Sequence, residues 1–351
     1  MGIYIYYNIS PSDNTTINDN VIEGNDGVGL RIACVYPNNS SGSSNINNNI
    51  IKRNKNGISV LFSNTNLTNN IIADNIGNGV DIWSQAGDNV LINNNIINNT
   101  GCGLIIGSNS GDTVLINNNN IAKNGDRGVR IDSFVNNIFL TNNTITENKT
   151  SYNGGGVYFT CSEENAIAYL YNNIIWRNEG NEGDDIYNDS HLYAITYAHN
   201  NNFHDVAGRQ FTEDLNNIDT DPLFVDSEQG DYHLLSGSPC IDKGTADAPE
   251  LPSTDYEGDS RIIGSAPDIG ADEFDPSNPP TTTSTSSTTT TPISTTTTSL
   301  PQPPSDCLSE ELYGEHSEET ELLRYIRDNV LSQTLTGREI IKLYYQLMSD
   351  N

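Results

Sequence analysis

The chain has 351 residues, enough for two domains, and its 46 acidic residues against 16 basic ones give a formal net charge of -30. That charge excludes nucleic acid and anionic membrane surfaces as partners, because both repel it. Hydrophobic residues supply only 34% of the chain, and asparagine fills the deficit at roughly one residue in seven, about three times ordinary usage.

The opening Met1-Gly2-Ile3-Tyr4-Ile5-Tyr6-Tyr7 has no basic region and no cleavage site, so no signal peptide is read there. No apolar run approaches the length of a membrane span. The cysteines Cys34, Cys102, Cys161, Cys240 and Cys307 are scattered and form no CxxC pair. Neither a zinc site nor a dense disulfide framework is therefore expected, and the first four read as small buried hydrophobes.

A repeat then runs through the first half. Its form is apolar, any, Asn, Asn, any, Ile, two residues, Asn. It reads Ile17, Asp19, Asn20, Ile22, Asn25, and returns as Ile46, Asn48, Asn49, Ile51, Asn54 and as Leu67, Asn69, Asn70, Ile72, Asn75. The fourth copy reads Ile92, Asn94, Asn95, Ile97, with Thr100 in place of the last Asn. Three more copies begin at Ile116, Leu140 and Leu170. A second element, Gly-apolar-x-apolar, follows most copies, as in Gly57-Ile58-Ser59-Val60 and Gly128-Val129-Arg130-Ile131. Alternating apolar residues make short strands with one buried face. A lone copy buries almost nothing, so copies must stack, with rungs about 4.8 Å apart. Equivalent asparagines then fall in line and their amides bond along the stack, which accounts for the asparagine excess.

These motifs resemble the right-handed parallel β-helix repeats of the pectin-lyase-like solenoids, over roughly residues 15–190. The resemblance implies an all-β right-handed parallel β-helix over residues 1–200. It brings a range of roles, from polysaccharide lyases and glycosidases to adhesins, and does not choose among them.

In Gly-apolar-x-apolar, x and the residue after the motif face outward. The outward ladder is then Arg31, Ser59, Asp81, Ile105, Arg130 and Tyr158, with Ala33, Leu61, Trp83, Gly107, Asp132 and Thr160 beside it. Asp81, Trp83, Arg130 and Tyr158 are the candidate carbohydrate-binding residues, since aromatic faces stack on sugars and Arg clamps carboxylates. Arg130, Tyr158 and Asp132 are the candidate catalytic set for a polysaccharide lyase, with Tyr158 as base. Hydrolysis fits less well. Asp81 and Asp132 should stand about 12 Å apart, against about 5 to 9.5 Å for paired glycosidase carboxyls.

Residues 201–275 carry Asp221-Pro222-Leu223-Phe224, Gly230-Asp231-Tyr232-His233-Leu234, Ser238-Pro239-Cys240-Ile241-Asp242 and Asp268-Ile269-Gly270-Ala271-Asp272-Glu273. They resemble the closing segment of surface β-helices of the choice-of-anchor type, which implies a cap on the solenoid. Asp242, Asp255 and Asp268, each near a Gly turn, are the candidate Ca²⁺ ligands. Residues 276–306 are a Pro/Thr/Ser linker that cannot build a core, and such stalks sit outside the cytoplasm.

Residues 307–351 read as a short helical tail, with Leu322, Leu323, Ile326 and Val330 as an apolar stripe. Cys307, Tyr313-Gly314, Leu323-Arg324 and Arg327-Asp328 resemble a bacterial C-terminal sorting tail, which implies export machinery as a partner and Cys307 as the recognition or processing mark. With no signal peptide and a first coil near residue 17, the N-terminus reads as incomplete. The expected protein is an exported, surface-displayed β-helix that recognises glycans in a structural or adhesive role. A polysaccharide lyase and a Ca²⁺-stabilised surface-layer component are the alternatives.

Overall fold

Alternation decides which side chains enter the core. Ile58 and Val60 flank outward Ser59, and Val80 and Ile82 flank outward Asp81; the four apolar residues are fully buried. The computed structural model describes residues 2–7, 14–34, 43–61, 64–84, 88–108, 113–133, 137–161, 166–190 and 194–280. Over these the chain winds into an all-β parallel solenoid. The first sheet has nine strands, running from Ile3–Tyr7 and Val28–Cys34 through Val80–Ser84, Leu104–Ser108, Val129–Ser133 and Val157–Cys161 to Ile186–Asn188 and Val206–Gly208. The second has nine, from Thr15–Asn18 to Glu213–Leu215, and the third eight, from Val21–Glu23 to Asn202–Phe203. Their inner faces form one aliphatic core of stacked Ile, Leu and Val.

Among the described residues each regular coil shows two bends of one form, a residue in the left-handed region followed by an inward asparagine. Asn48 (φ 55) precedes Asn49, and Arg53 (φ 53) precedes Asn54. Asparagine tolerates this conformation better than most residues, which suits the first Asn of each pair. The second Asn is buried and joins a ladder. Asn49 donates its N–H and Nδ2–H to Oδ1 of Asn70, both at 3.0 Å, and Nδ2–H also to the carbonyl of Ile17 at 2.8 Å. Asn70, Asn94, Asn119, Asn143, Asn173 and Asn201 repeat the step to Asn217. Each amide thus serves backbone groups at a bend that water does not reach.

The fourth copy sits one residue earlier than the sequence pattern placed it. Leu91 and Ile96 are fully buried, Asn94 and Asn99 are the ladder residues, and Thr100 is exposed. The run Asn93-Asn94-Asn95 permits either frame locally, and the ladders above and below select one. The repeat also continues past residue 200, through Asn200-Asn201 and Asn216-Asn217. On the outer face of the second sheet, Phe139, Tyr169 and Tyr197 stack at 4.9 and 5.3 Å between ring centres.

Residues 219–275 do not lie across the end of the coils. They run along the side, over the bends between the second and third sheets and over the third sheet. Asn200 donates to the carbonyl of Lys243, Asn172 to Thr245, Thr141 to Pro249, Asn117 to Glu250 and Asn118 to Thr254. A small second cluster, Ile174, Leu234, Cys240 and Ile269, fills the space between. At the late end of the coils, Phe203, Val206 and Phe211 pack against the main core. Cys102 and Cys240 are free thiols and buried, as small hydrophobes are. The linker beyond residue 280 and the tail with Cys307, expected to be helical, lie outside the described residues. Among the described residues no helix is long and apolar enough to cross a membrane.

Candidate functional site

Register brings the outward ladder together as the alternation requires. Arg31, Ser59, Asp81, Ile105, Arg130, Tyr158 and Tyr187 occupy matched positions on successive strands of the first sheet. Leu61, Trp83, Gly107, Asp132 and Thr160 form the row beside it.

Trp83 is the largest exposed group on this face, with 44% of its surface open. Its Nε1–H donates to Oδ1 of Asp81 at 2.6 Å. The six-membered ring lies where a side chain on the next coil would stand: a Cβ on Gly107 would meet Trp83 Cε3 at 2.3 Å. Gly107 therefore seats the indole. Burial pushes the Asp81 carboxyl above its ordinary range, while the Trp83 hydrogen bond and the Arg130 and Arg31 charges pull it back.

Arg130 pairs with Asp132, Nη2 to Oδ2 at 2.6 Å. Partial burial works against the guanidinium charge, but Asp132 outweighs it and raises its pKa. One coil on, the Tyr158 hydroxyl donates to Oδ2 of Asp189 at 2.7 Å, and its ring lies parallel to Tyr187 with centres 6.0 Å apart. The Arg127 guanidinium stands 4.7 Å from the Tyr158 ring centre and 5.2 Å from that of Tyr152.

Tyr187, Asp189, Arg127 and Tyr152 escaped the sequence pattern. Tyr187 follows the same alternation as Tyr158, but Asp185-Ile186-Tyr187 has Asp where the motif demands Gly. Asn188 also stands where the motif demands an apolar residue, so only the position one coil after Tyr158 marks Tyr187. Arg127 and Tyr152 belong to the bends, where no periodicity marks them.

The groups of the candidate catalytic set are engaged with neighbours. A lyase base needs a pKa near the working pH. Burial, and then the Asp189 hydrogen bond, push the Tyr158 phenol the other way. Arg130, the candidate clamp for a uronate, already holds Asp132. Asp81 and Asp132 lie two coils apart in register, about 10 Å along the stack, and each is bound to a different neighbour.

The three candidate Ca²⁺ ligands fold the side segment instead of converging on one point. Asp242 Oδ1 accepts from the N–H of Ser265 and Ala266. Asp268 accepts from Asp242 N–H at 2.7 Å and Phe274 N–H at 2.8 Å. Asp255 Oδ1 takes the N–H groups of Glu257, Gly258 and Asp259, each at 2.9 Å.

Another group does converge: ligand atoms of His233, Glu257 and Asp272 lie within 4.8 Å of one another. Both imidazole nitrogens there are already engaged, Nδ1 by Asp231 at 2.6 Å and Nε2 by Glu257 and the Tyr256 hydroxyl at 3.0 Å. Burial opposes the imidazolium charge, but Asp231 and Glu257 outweigh it and raise the pKa to about 11. An imidazolium thus supplies the cation of this cluster from within. Buried Arg261 does the same nearby, donating to the Ala271 carbonyl at 2.8 Å and to Asn118 Oδ1 at 2.9 Å, with Glu273 at 3.6 Å.

Residues 3–96 match the family described as Right handed beta helix region. The parallel coils continue in the same form well beyond that span, to Glu213–Leu215. No curated protein matches the chain.

Proposed function

We propose that this protein is an exported, surface-displayed β-helix whose outward face on the first sheet binds carbohydrate in a structural or adhesive role. One observation carries the reading. Trp83, Tyr158 and Tyr187 share a single outward face with carboxylates held in place by named hydrogen bonds. Exposed aromatic surface stacks on sugar rings, and oriented carboxylates accept from sugar hydroxyls. A β-helix fold fits carbohydrate contact. The Pro/Thr/Ser composition of residues 276–306 supports display away from a surface, and the sorting-type tail supports export.

Affinity electrophoresis of the full chain through gels containing single polysaccharides tests this. At least one polysaccharide should retard the wild type, and Trp83→Ala should weaken that retardation about tenfold or more. Release of shortened or unsaturated products during the run would replace the binding role with a catalytic one. Retardation identical in wild type and Trp83→Ala would remove this face from the function.

A further inference from the structure

The carbohydrate reading leaves open which class of glycan the face accepts, and the charge arrangement narrows it. Four arginines stand on or beside the face among the described residues: Arg31, Arg127, Arg130 and Arg209. Arg130 and Arg127 are engaged, and Arg31 and Arg209 stand outside the span from Trp83 to Tyr187. Arg130 is paired with Asp132. Arg127 is buried, donates Nε–H to the carbonyl of Asn153 at 2.7 Å and lies against the rings of Tyr152 and Tyr158. Arg31 stands two coils before Asp81 in the same row, and Arg209 one coil beyond Asp189, its N–H donating to the carbonyl of Asn188 at 2.8 Å.

The face itself carries Asp81, Asp132 and Asp189. A polyanion laid between Trp83 and Tyr187 meets these carboxylates with Arg130 already paired, on a chain whose net charge is already -30. A hydroxyl-rich neutral chain meets acceptors and aromatic faces. Tyr158 and Tyr187 hold one row on successive coils, and Trp83 stands in the row beside it three coils before Tyr158, about 14 Å along the stack.

Resting on the carbohydrate reading above, we infer that the ligand is a neutral glycan laid along the stack over Trp83, Tyr158 and Tyr187, and that this face rejects polyuronates and other anionic glycans.

Calorimetric titration of the full chain tests the inference. The ligands are a neutral panel (β-glucan, galactan, mannan and xylan) and, separately, polygalacturonate and alginate, at low and high salt, with chelator or with added Ca²⁺. A neutral polymer should bind about tenfold or more tightly than either polyuronate in chelator, with an affinity that salt leaves unchanged. Asp132→Asn removes one carboxylate and frees Arg130, so polyuronate affinity at low salt should rise about tenfold while the melting temperature stays close to wild type. Polyuronate binding as tight as neutral binding, and lost in Trp83→Ala, would overturn the neutral class while leaving carbohydrate binding intact. Polyuronate binding only with Ca²⁺ would overturn it too, in favour of a cation bridge. If no polymer binds, or Trp83→Ala binds like wild type, the carbohydrate reading fails and takes this inference with it.

Discussion

Asn178 donates both its backbone N–H and its Nδ2–H to Oδ1 of Asp185, at 3.3 and 3.0 Å. This contact ends the ladder that climbs through Asn54, Asn75, Asn99, Asn124 and Asn148. An amide ladder has a direction: every Oδ1 receives donors from the coil before, and every Nδ2 needs an acceptor in the coil after. The last member needs only to accept, and a carboxylate has two oxygens for that. Asp185 spends Oδ2 on the N–H of His204 at 2.8 Å. The parallel ladder closes alike, with Asn217 Nδ2–H donating to Asp214.

Terminating a buried ladder with a carboxyl makes stability depend on pH. Burial pushes the Asp185 pKa from an ordinary 3.8 up to about 6, against the pull of its hydrogen bonds. The native state holds this proton more tightly than the unfolded chain. The stabilisation is therefore complete below pH ~4 and is lost as pH rises through ~6, by about 3 kcal/mol at most. Asp185→Asn should flatten that part of the profile. It should also lower stability at pH ~4 by about 1–2 kcal/mol, because an amide nitrogen would then face the His204 N–H. Urea unfolding from pH ~4 to ~7 reads both effects.

Interior ladder positions should be far less tolerant than exposed asparagines. Asn119 Oδ1 accepts from Asn94 N–H and Nδ2–H, and its own Nδ2–H serves the Leu91 carbonyl. Asn119→Ala should cost about 2–5 kcal/mol, since buried groups lose their partners. Asn47→Ala removes only an exposed contact to Asn18 and should stay within about 0.5 kcal/mol. Paired denaturation curves decide.

Gly107 should matter through Trp83. In Gly107→Ala the new Cβ claims space the indole fills, so the ring must swing away and release Asp81. Tryptophan fluorescence should shift, polysaccharide retardation should fall as far as in Trp83→Ala, and stability should change by about 1 kcal/mol or less. A variant with wild-type fluorescence would show that the indole is not seated on this glycine.

His233 sets the alkaline limit of the side segment. Its pKa rises from 6.5 to about 11 because Asp231 and Glu257 hold the imidazolium, despite the opposing effect of burial. The raised value means that its contribution is full below pH ~6.5 and is lost as pH rises through ~11. His233→Gln should lower the melting temperature at neutral pH and remove the slope contributed by this group on the alkaline side. Thermal melts from pH ~6 to ~11 test this.

The sequence by itself determined the coil. Alternation in Ile58-Ser59-Val60 assigns inside and outside, and Asn48-Asn49 encodes both a bend and a buried amide, because these are properties of a few adjacent residues. The same alternation placed Asp81, Trp83, Arg130, Asp132 and Tyr158 on one face. Only the tertiary structure decided what depends on the neighbouring coil. It selected the frame of Asn93-Asn94-Asn95, seated Trp83 on Gly107, tied Tyr158 to Asp189 and stacked it on Tyr187. It also turned residues 219–275 along the side of the coils. Their partners lie as far off as Asn118 and Arg261, 143 residues apart, and no local pattern carries a contact at that separation. Side chains in a solenoid meet across the chain direction, so the faces are legible in sequence and the contacts within them are not.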